Sequence, residues 1–266
     1  MYSKILKYKN KYVGEKVLFL GTGTSLLDFD LEKINDTNIY TFAFNRFIPF
    51  YKEFWPNLKL DFYMCHDPTV MNTSFYNQFQ MRKIEGDEGF DLKNINVQKY
   101  KNTSTIDFIF ENKIYLNTKI IFPLNLDTSH ANKFNLSHNR NWAKKSECET
   151  ENFLPYYSIN KKILIEENNS SLQIGTWAKN SFINSALPIL SFLGFSKIYL
   201  CGVDYSNKGF FFSKSKNHTG FFDREFKEFK EIMNIFNKKE IFSIFHKDTQ
   251  ICAKDNFVEF EEFLNE

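Results

Sequence analysis

The residues of this chain with the means to do chemistry stand directly behind short apolar runs: Gly21-Thr-Gly-Thr-Ser25, Asn45, His66-Asp67, Asp204 and His246. Gly21, Thr22, Gly23 and Ser25 lie between an apolar run and a segment of helical character. There, glycines let the backbone approach a ligand and helical N–H groups face an anion. The same residues also suit a plain tight turn with Ser25 as a helix N-cap. The turn lacks the third glycine of GxGxxG and the GK[ST] of a phosphate loop.

A proton acceptor is available in His218, within the polar stretch Lys216-Asn-His-Thr-Gly220. Imidazole takes a proton near neutral pH, although a solvated loop histidine has the same appearance. Asp28-Phe-Asp30 has the DxD pattern of metal-holding carboxylates, yet carboxylates two apart on a helix face different ways. No His/Cys cluster has zinc spacing, and GxSxG and HExxH are absent, so hydrolase chemistry lacks support. No metal and no cofactor is expected.

The elements that must position these groups are runs without alternation, as buried parallel strands require. Lys16-Val-Leu-Phe-Leu-Gly21, Asn38 to Phe44, Leu60 to Cys65, Lys119 to Phe122, Lys197 to Val203 and Glu240 to His246 all read this way. Thr176 to Leu193 has helical spacing, with Gly194 as its C-cap and a kink or a tolerated break expected at Pro188. Phe222, Phe226, Phe229, Met233 and Phe236 mark one face of a helix that core packing explains, and Asp255 to Leu264 reads as a last short helix. The 71–112 region reads as irregular or partly helical. Residues 127–172 are polar without a period, the pattern of a lid or acceptor-side insertion rather than a connector.

Strands alternating with helices predict an α/β fold: a Rossmann-like, largely parallel sheet with helices on both faces. The 266 residues form one nucleotide-binding domain in this reading, with 127–172 inserted in it. Ligands of such sheets sit beyond the carboxyl ends of the strands, which makes the polar residues after each run the candidate site.

Composition narrows the function classes. Lys+Arg 34 against Asp+Glu 32 gives a net charge of +2 without a basic stripe, which disfavours a nucleic-acid partner. The four cysteines, Cys65, Cys148, Cys201 and Cys252, stand alone and read as reduced and mostly buried. No signal-peptide order and no apolar run of roughly 20 residues is visible, so a cytoplasmic location is expected. Peripheral membrane contact through the aromatic C-terminal third and homo-oligomerisation both stay open.

Four segments together resemble the bacterial sialyltransferases of glycosyltransferase family 42 and the related motility accessory factor family. They are Val17 to Leu26, Phe42-Ala-Phe-Asn45, Asn180 to Asp204, and Ile241 to Thr249, with Leu193-Gly-Phe-Ser-Lys-Ile-Tyr-Leu-Cys-Gly-Val-Asp204 the most specific. The resemblance implies an inverting, metal-independent transfer of a 2-keto sugar acid, a sialic acid-like nonulosonate or Kdo, from a CMP-activated donor to a glycan, glycolipid or protein acceptor. It implies that Gly21, Gly23, Ser25 and Asn45 hold the CMP part, joined by Asn180 and Ser181, and that His218 is the general base. Thr22, His66, Asp67, Asp204 and Tyr205 complete the nucleotide-binding candidates. The short interval from Asp204 to His218, with Tyr205 its only tyrosine, is closer to the motility accessory factor pattern. Rival readings are an ATP- and magnesium-dependent pyrophosphokinase of the 6-hydroxymethylpterin type, with aspartates as metal ligands, and a noncatalytic nucleotide-binding module.

Overall fold

A computed structural model describes residues 2–75, 77, 100, 102–123, 150–159, 165–168, 171–175, 185–204, 210–211, 240–244, 246 and 256–266. Ten strands form one sheet: β1 (Lys16–Leu20), β2 (Tyr40–Phe44), β3 (Phe62–Met64), β4 (Lys119–Pro123), β5 (Phe153–Ile159), β6 (Ile165–Asn168), β7 (Ser171–Gly175), β8 (Lys197–Cys201), β9 (Glu240–Ile244) and β10 (Phe257–Val258). Their order is β10-β9-β8-β1-β2-β3-β4-β5-β7-β6. Every pairing is parallel except β6 with β7.

The uninterrupted apolar runs are explained by burial on both faces. Leu18, Leu20, Ala43 and Tyr63 join one core cluster, while their chain neighbours Val17, Phe19, Phe42 and Phe62 join another. Successive side chains of a strand point to opposite faces, so a strand covered on both sides is apolar at successive positions, and the buried Thr41 of β2 is accommodated by its bonds to Asp61. One face is covered by α1 (Phe47–Phe54), α2 (Pro68–Asn72), α3 (Thr105–Glu111) and α5 (Phe260–Leu264). On the other lie α4 (Leu187–Leu193) and the 3-10 segment Tyr2–Tyr8. This is the expected α/β architecture, with helices on both faces.

Several local expectations need correction. Pro188 stands at the start of α4, directly after a π-helical turn at 185–186, where its missing N–H is tolerated. Gly194 does cap that helix, at φ 97°. The 127–172 stretch is not irregular throughout, because β5, β6 and the start of β7 lie within it and extend the sheet, while 124–149 is outside the described residues. Within 71–112, α3 is fixed by a capping box between Ser104 and Asp107. The C-terminal helix begins only at Phe260, after β10. The Phe-striped helix expected around Phe222 to Phe236 lies outside the described residues.

Candidate functional site at the sheet edge

The chain lays β1 to β4 in one direction across the sheet and then returns to place β8 on the other side of β1. Strand order therefore reverses between β1 and β8, and the crevice beyond their carboxyl ends is where open α/β sheets take ligands. The register Leu20↔Cys201 carries on past both strands: Gly21 N–H donates to Cys201 O at 2.8 Å and Gly23 N–H to Gly202 O at 2.7 Å. A side chain cannot fit there. A Cβ on Gly21 would stand 2.8 Å from the Gly202 carbonyl carbon, and one on Gly23 2.6 Å from Asp204 Cγ.

Asp204 closes this loop from below. Buried to 3% exposure, its carboxylate accepts the Ser25 backbone N–H at 2.8 Å and also the Ser25 hydroxyl. Ser25 is thus bound across the switch point and does not act as an N-cap. Gly23 holds that position, and the segment it opens is 3-10 rather than α. Thr22 O accepts the Phe211 N–H at 2.9 Å, and Thr24 Oγ1 is buried without a partner among the described residues. A buried hydroxyl in want of a partner at the centre of the loop is a feature that the sequence reading missed.

The next two strand exits are tied together in the same way. Asn45 adopts φ 47°, a left-handed conformation that asparagine tolerates better than most residues, and its N–H donates to Met64 O. Its carbonyl accepts the hydroxyl of the buried Tyr63 at 2.7 Å, and its Oδ1 accepts the His66 N–H at 3.0 Å. Burial pushes the Tyr63 phenol well above its usual range, so it stays a donor. Arg46 follows directly; its charge acts on Tyr63 and Cys65, and it lines a narrow pocket with Phe75, Thr103 and Thr105. A lone arginine behind an edge asparagine was a legible signal that went unused.

His66 is partly buried, and burial lowers its pKa to about 4 against an opposing pull from Asp67, so the ring is neutral at pH 7. Its Nδ1 lies 2.6 Å from the hydroxyl of Tyr156 on β5, reaching past the end of β4, with the rings 15° from parallel. Burial followed by the Asp67 charge pushes the Cys65 thiol up to about 12, and burial raises Cys201, so neither is a nucleophile at neutral pH.

His246, at the exit of β9, bonds through Nε2 to Asp28. The histidine side chain is 9% exposed and the carboxylate 61%, the reverse of a catalytic dyad, in which a buried acid orients an exposed imidazole. Asp30 accepts the Glu32 N–H as the cap of the 3-10 segment Leu31–Asp36. Asp28 and Asp30 thus have separate partners, and no group of three metal-ligating side chains exists among the described residues.

From the β8 exit to the β3 exit the edge spans three strand spacings, roughly 14 Å. It brings together Gly21, Thr22, Gly23, Ser25, Asp204, Asn45, His66 and Asp67. Asn180, Ser181, Tyr205 and His218 lie outside the described residues. No helix of the described residues is long and apolar enough to cross a membrane.

Fold and edge together define an open, mostly parallel α/β sheet whose polar strand exits gather where strand order reverses. No family model and no curated protein sequence matches the chain. Solved structures similar in chain path include the following three. A CMP-bound variant of the sialyltransferase CST-II has a TM-score of 0.42 over 86% of this chain and 80% of that one, at 14% identity. CstII from Campylobacter jejuni, in complex with the substrate analogue cytidine-5'-monophosphate, gives 0.38 over 87% and 80%, also at 14% identity. An alpha-2,3-sialyltransferase from Campylobacter jejuni in apo form gives 0.33 over 92% and 80%, again at 14% identity. Such values fix no residue correspondence.

Proposed function

We propose that the chain is a glycosyltransferase that moves a 2-keto sugar acid, a sialic acid-like nonulosonate or Kdo, from its CMP-activated form to a hydroxyl of a glycan, glycolipid or protein. The observation that carries the reading is the glycine loop clamped over Asp204 at the strand-order reversal, with Asn45 and His66 beside it. That edge offers neutral hydroxyl, amide and imidazole groups over a nucleotide-sized span, which suits a monophosphate leaving group.

In this reading His218 takes the proton of the acceptor hydroxyl while its oxygen forms a bond to the anomeric carbon. The bond from that carbon to the CMP phosphate oxygen breaks on the opposite face, so the configuration inverts. CMP departs with the electron pair, and donors near Thr24, Asn45 and His66 stabilise its added charge.

Calorimetric titration with CMP, CDP, UDP, GDP and ATP, each with and without magnesium, tests the proposal. The expected result is selective binding of CMP that magnesium does not alter. A preference for ATP that requires magnesium would replace the reading with the pyrophosphokinase. CMP binding without transfer from any CMP-activated 2-keto sugar acid would leave a noncatalytic binding module.

A further inference from the structure

His66, Tyr156 and Ser185 come from β3's exit, from β5 and from the residues leading into α4, yet they form one connected chain at the sheet edge. Tyr156 is 1% exposed and Ser185 fully buried, so both hydroxyls must find their partners inside the protein. The Tyr156 hydroxyl has two neighbours: His66 Nδ1 at 2.6 Å and the Ser185 hydroxyl.

Two hydrogen arrangements form both bonds while using the phenol proton in one of them. In one, Ser185 donates to Tyr156 and Tyr156 donates to Nδ1, leaving the imidazole proton on Nε2. In the other, Nδ1–H donates to Tyr156, which donates to Ser185, and Nε2 is left as a bare acceptor. A phenol is a stronger donor than an imidazole N–H, and an imidazole nitrogen is a stronger acceptor than a phenol oxygen. The short O···N separation and near-parallel rings agree with the first arrangement. Burial keeps His66 neutral, so the ring has one proton to place. Nε2 has no hydrogen-bond partner among the described residues.

We propose that Tyr156 is a positioning residue for the nucleotide site: it fixes His66 in the Nε2–H tautomer, so that the crevice receives a neutral N–H donor for an anionic oxygen of the nucleotide. The second half rests on the CMP-binding function proposed above; the tautomer does not. The other nitrogen of a ligand-facing histidine commonly sets which proton the ligand meets. The His66 N–H bond to Asn45 Oδ1 fixes the backbone under the ring, so orientation and tautomer are set independently.

The test is long-range proton–nitrogen NMR of protein labelled with nitrogen-15 histidine at pH 7, with His66→Asn used to assign the ring, before and after addition of CMP. The free wild-type protein is expected to carry the proton on Nε2, and CMP to shift that nitrogen. In Tyr156→Phe the ring should exchange between tautomers and CMP affinity fall about two- to fivefold, as the donor-competent fraction falls. Ser185→Ala should keep the Nε2–H form, since Tyr156 still donates. A proton on Nδ1 in the free wild type overturns the proposal without any variant, as does an unchanged tautomer in folded Tyr156→Phe. A wild type that keeps the Nε2–H form but binds no CMP refutes the nucleotide function and leaves the Tyr156 assignment standing. Binding of CMP that leaves Nε2 unmoved removes His66 from the contact.

Discussion

Replacing Gly23 with alanine should strain the core of the proposed site in a calculable way. Gly23 has φ −69° and ψ 160°, extended backbone open to any residue, so the whole cost is steric. The new methyl would stand 2.6 Å from Asp204 Cγ and 2.8 Å from Gly202 O. Neither can yield easily. Asp204 is buried and bound to Ser25, and Gly202 is backbone at φ 71°, where its own α-carbon faces the Leu26 side chain. Overpacking of this kind costs about 1–3 kcal/mol. Shifting the carboxylate also loses one of its two bonds from Ser25, worth about 1.5–3 kcal/mol because the acceptor is charged. A loss of roughly 3–5 kcal/mol, or a melting temperature lower by on the order of 10 °C, is therefore expected in urea and thermal unfolding. Asp204→Ala alone leaves the N–H and hydroxyl of the 2%-exposed Ser25 unpaired, about 1–3 kcal/mol for each group. In the double variant the carboxylate no longer obstructs the methyl and its bonds are lost only once. Its cost should fall short of the sum of the single costs by about 1–3 kcal/mol. Additivity within about 0.5 kcal/mol, or a Gly23→Ala protein as stable as wild type, would refute this account of the loop.

Two further perturbations address the histidines. Because His66 titrates at about 4 in the folded protein and near 6.5 when unfolded, the unfolded chain binds more protons between those pH values. Stability present above pH 6.5 should therefore drain away as pH falls toward 4, by roughly 3 kcal/mol from this group. Urea midpoints measured across that range should show the slope in wild type and lose it in His66→Asn; an unchanged slope would mean that the ring is not held neutral. His218→Ala should abolish transfer while CMP affinity by calorimetry stays within about twofold, since a general base acts in the chemical step; full activity would sink its role.

The central strands were legible because each is an apolar run closed by Gly21, Asn45, His66 or Asp204, and burial on both faces leaves no other pattern. β5 was not, since Pro155 sits within Phe153–Ile159 and a proline argues against a central strand. It is tolerated there with its partner Phe122 on one side, and the neighbouring β7 pairs only from Tyr157 onward. The β6–β7 hairpin did leave a trace, two residues between the paired Asn168 and Ser171 and alternation at Leu172 and Ile174, but in a polar, lysine-rich stretch too short to stand out. The helix α1 was hidden by Pro49. At the site, single strand exits could be read but not their couplings. Ser25 looks like a cap until Asp204, 179 positions later, is seen to hold it, and nothing in sequence links His66 to Tyr156.

Those couplings also bear on the choice between metal-free transfer and a magnesium-dependent kinase. A magnesium site needs carboxylate oxygens free to enter near-octahedral coordination, usually one or two together with the phosphates. Asp204 offers none cheaply, because both oxygens accept from Ser25 and releasing them would undo the loop that places the glycines. Asp28 is bound to His246, and Asp30 holds the start of the next 3-10 segment, so the DxD pair is divided between two structural duties. His66, at the exit of β3, is neutral at pH 7, and the loop contributes the buried Thr24 hydroxyl, which has no partner among the described residues. Asp67 also stands at this edge, at the exit of β3, and the calorimetric comparison with and without magnesium measures whether the nucleotide is received directly or through a metal.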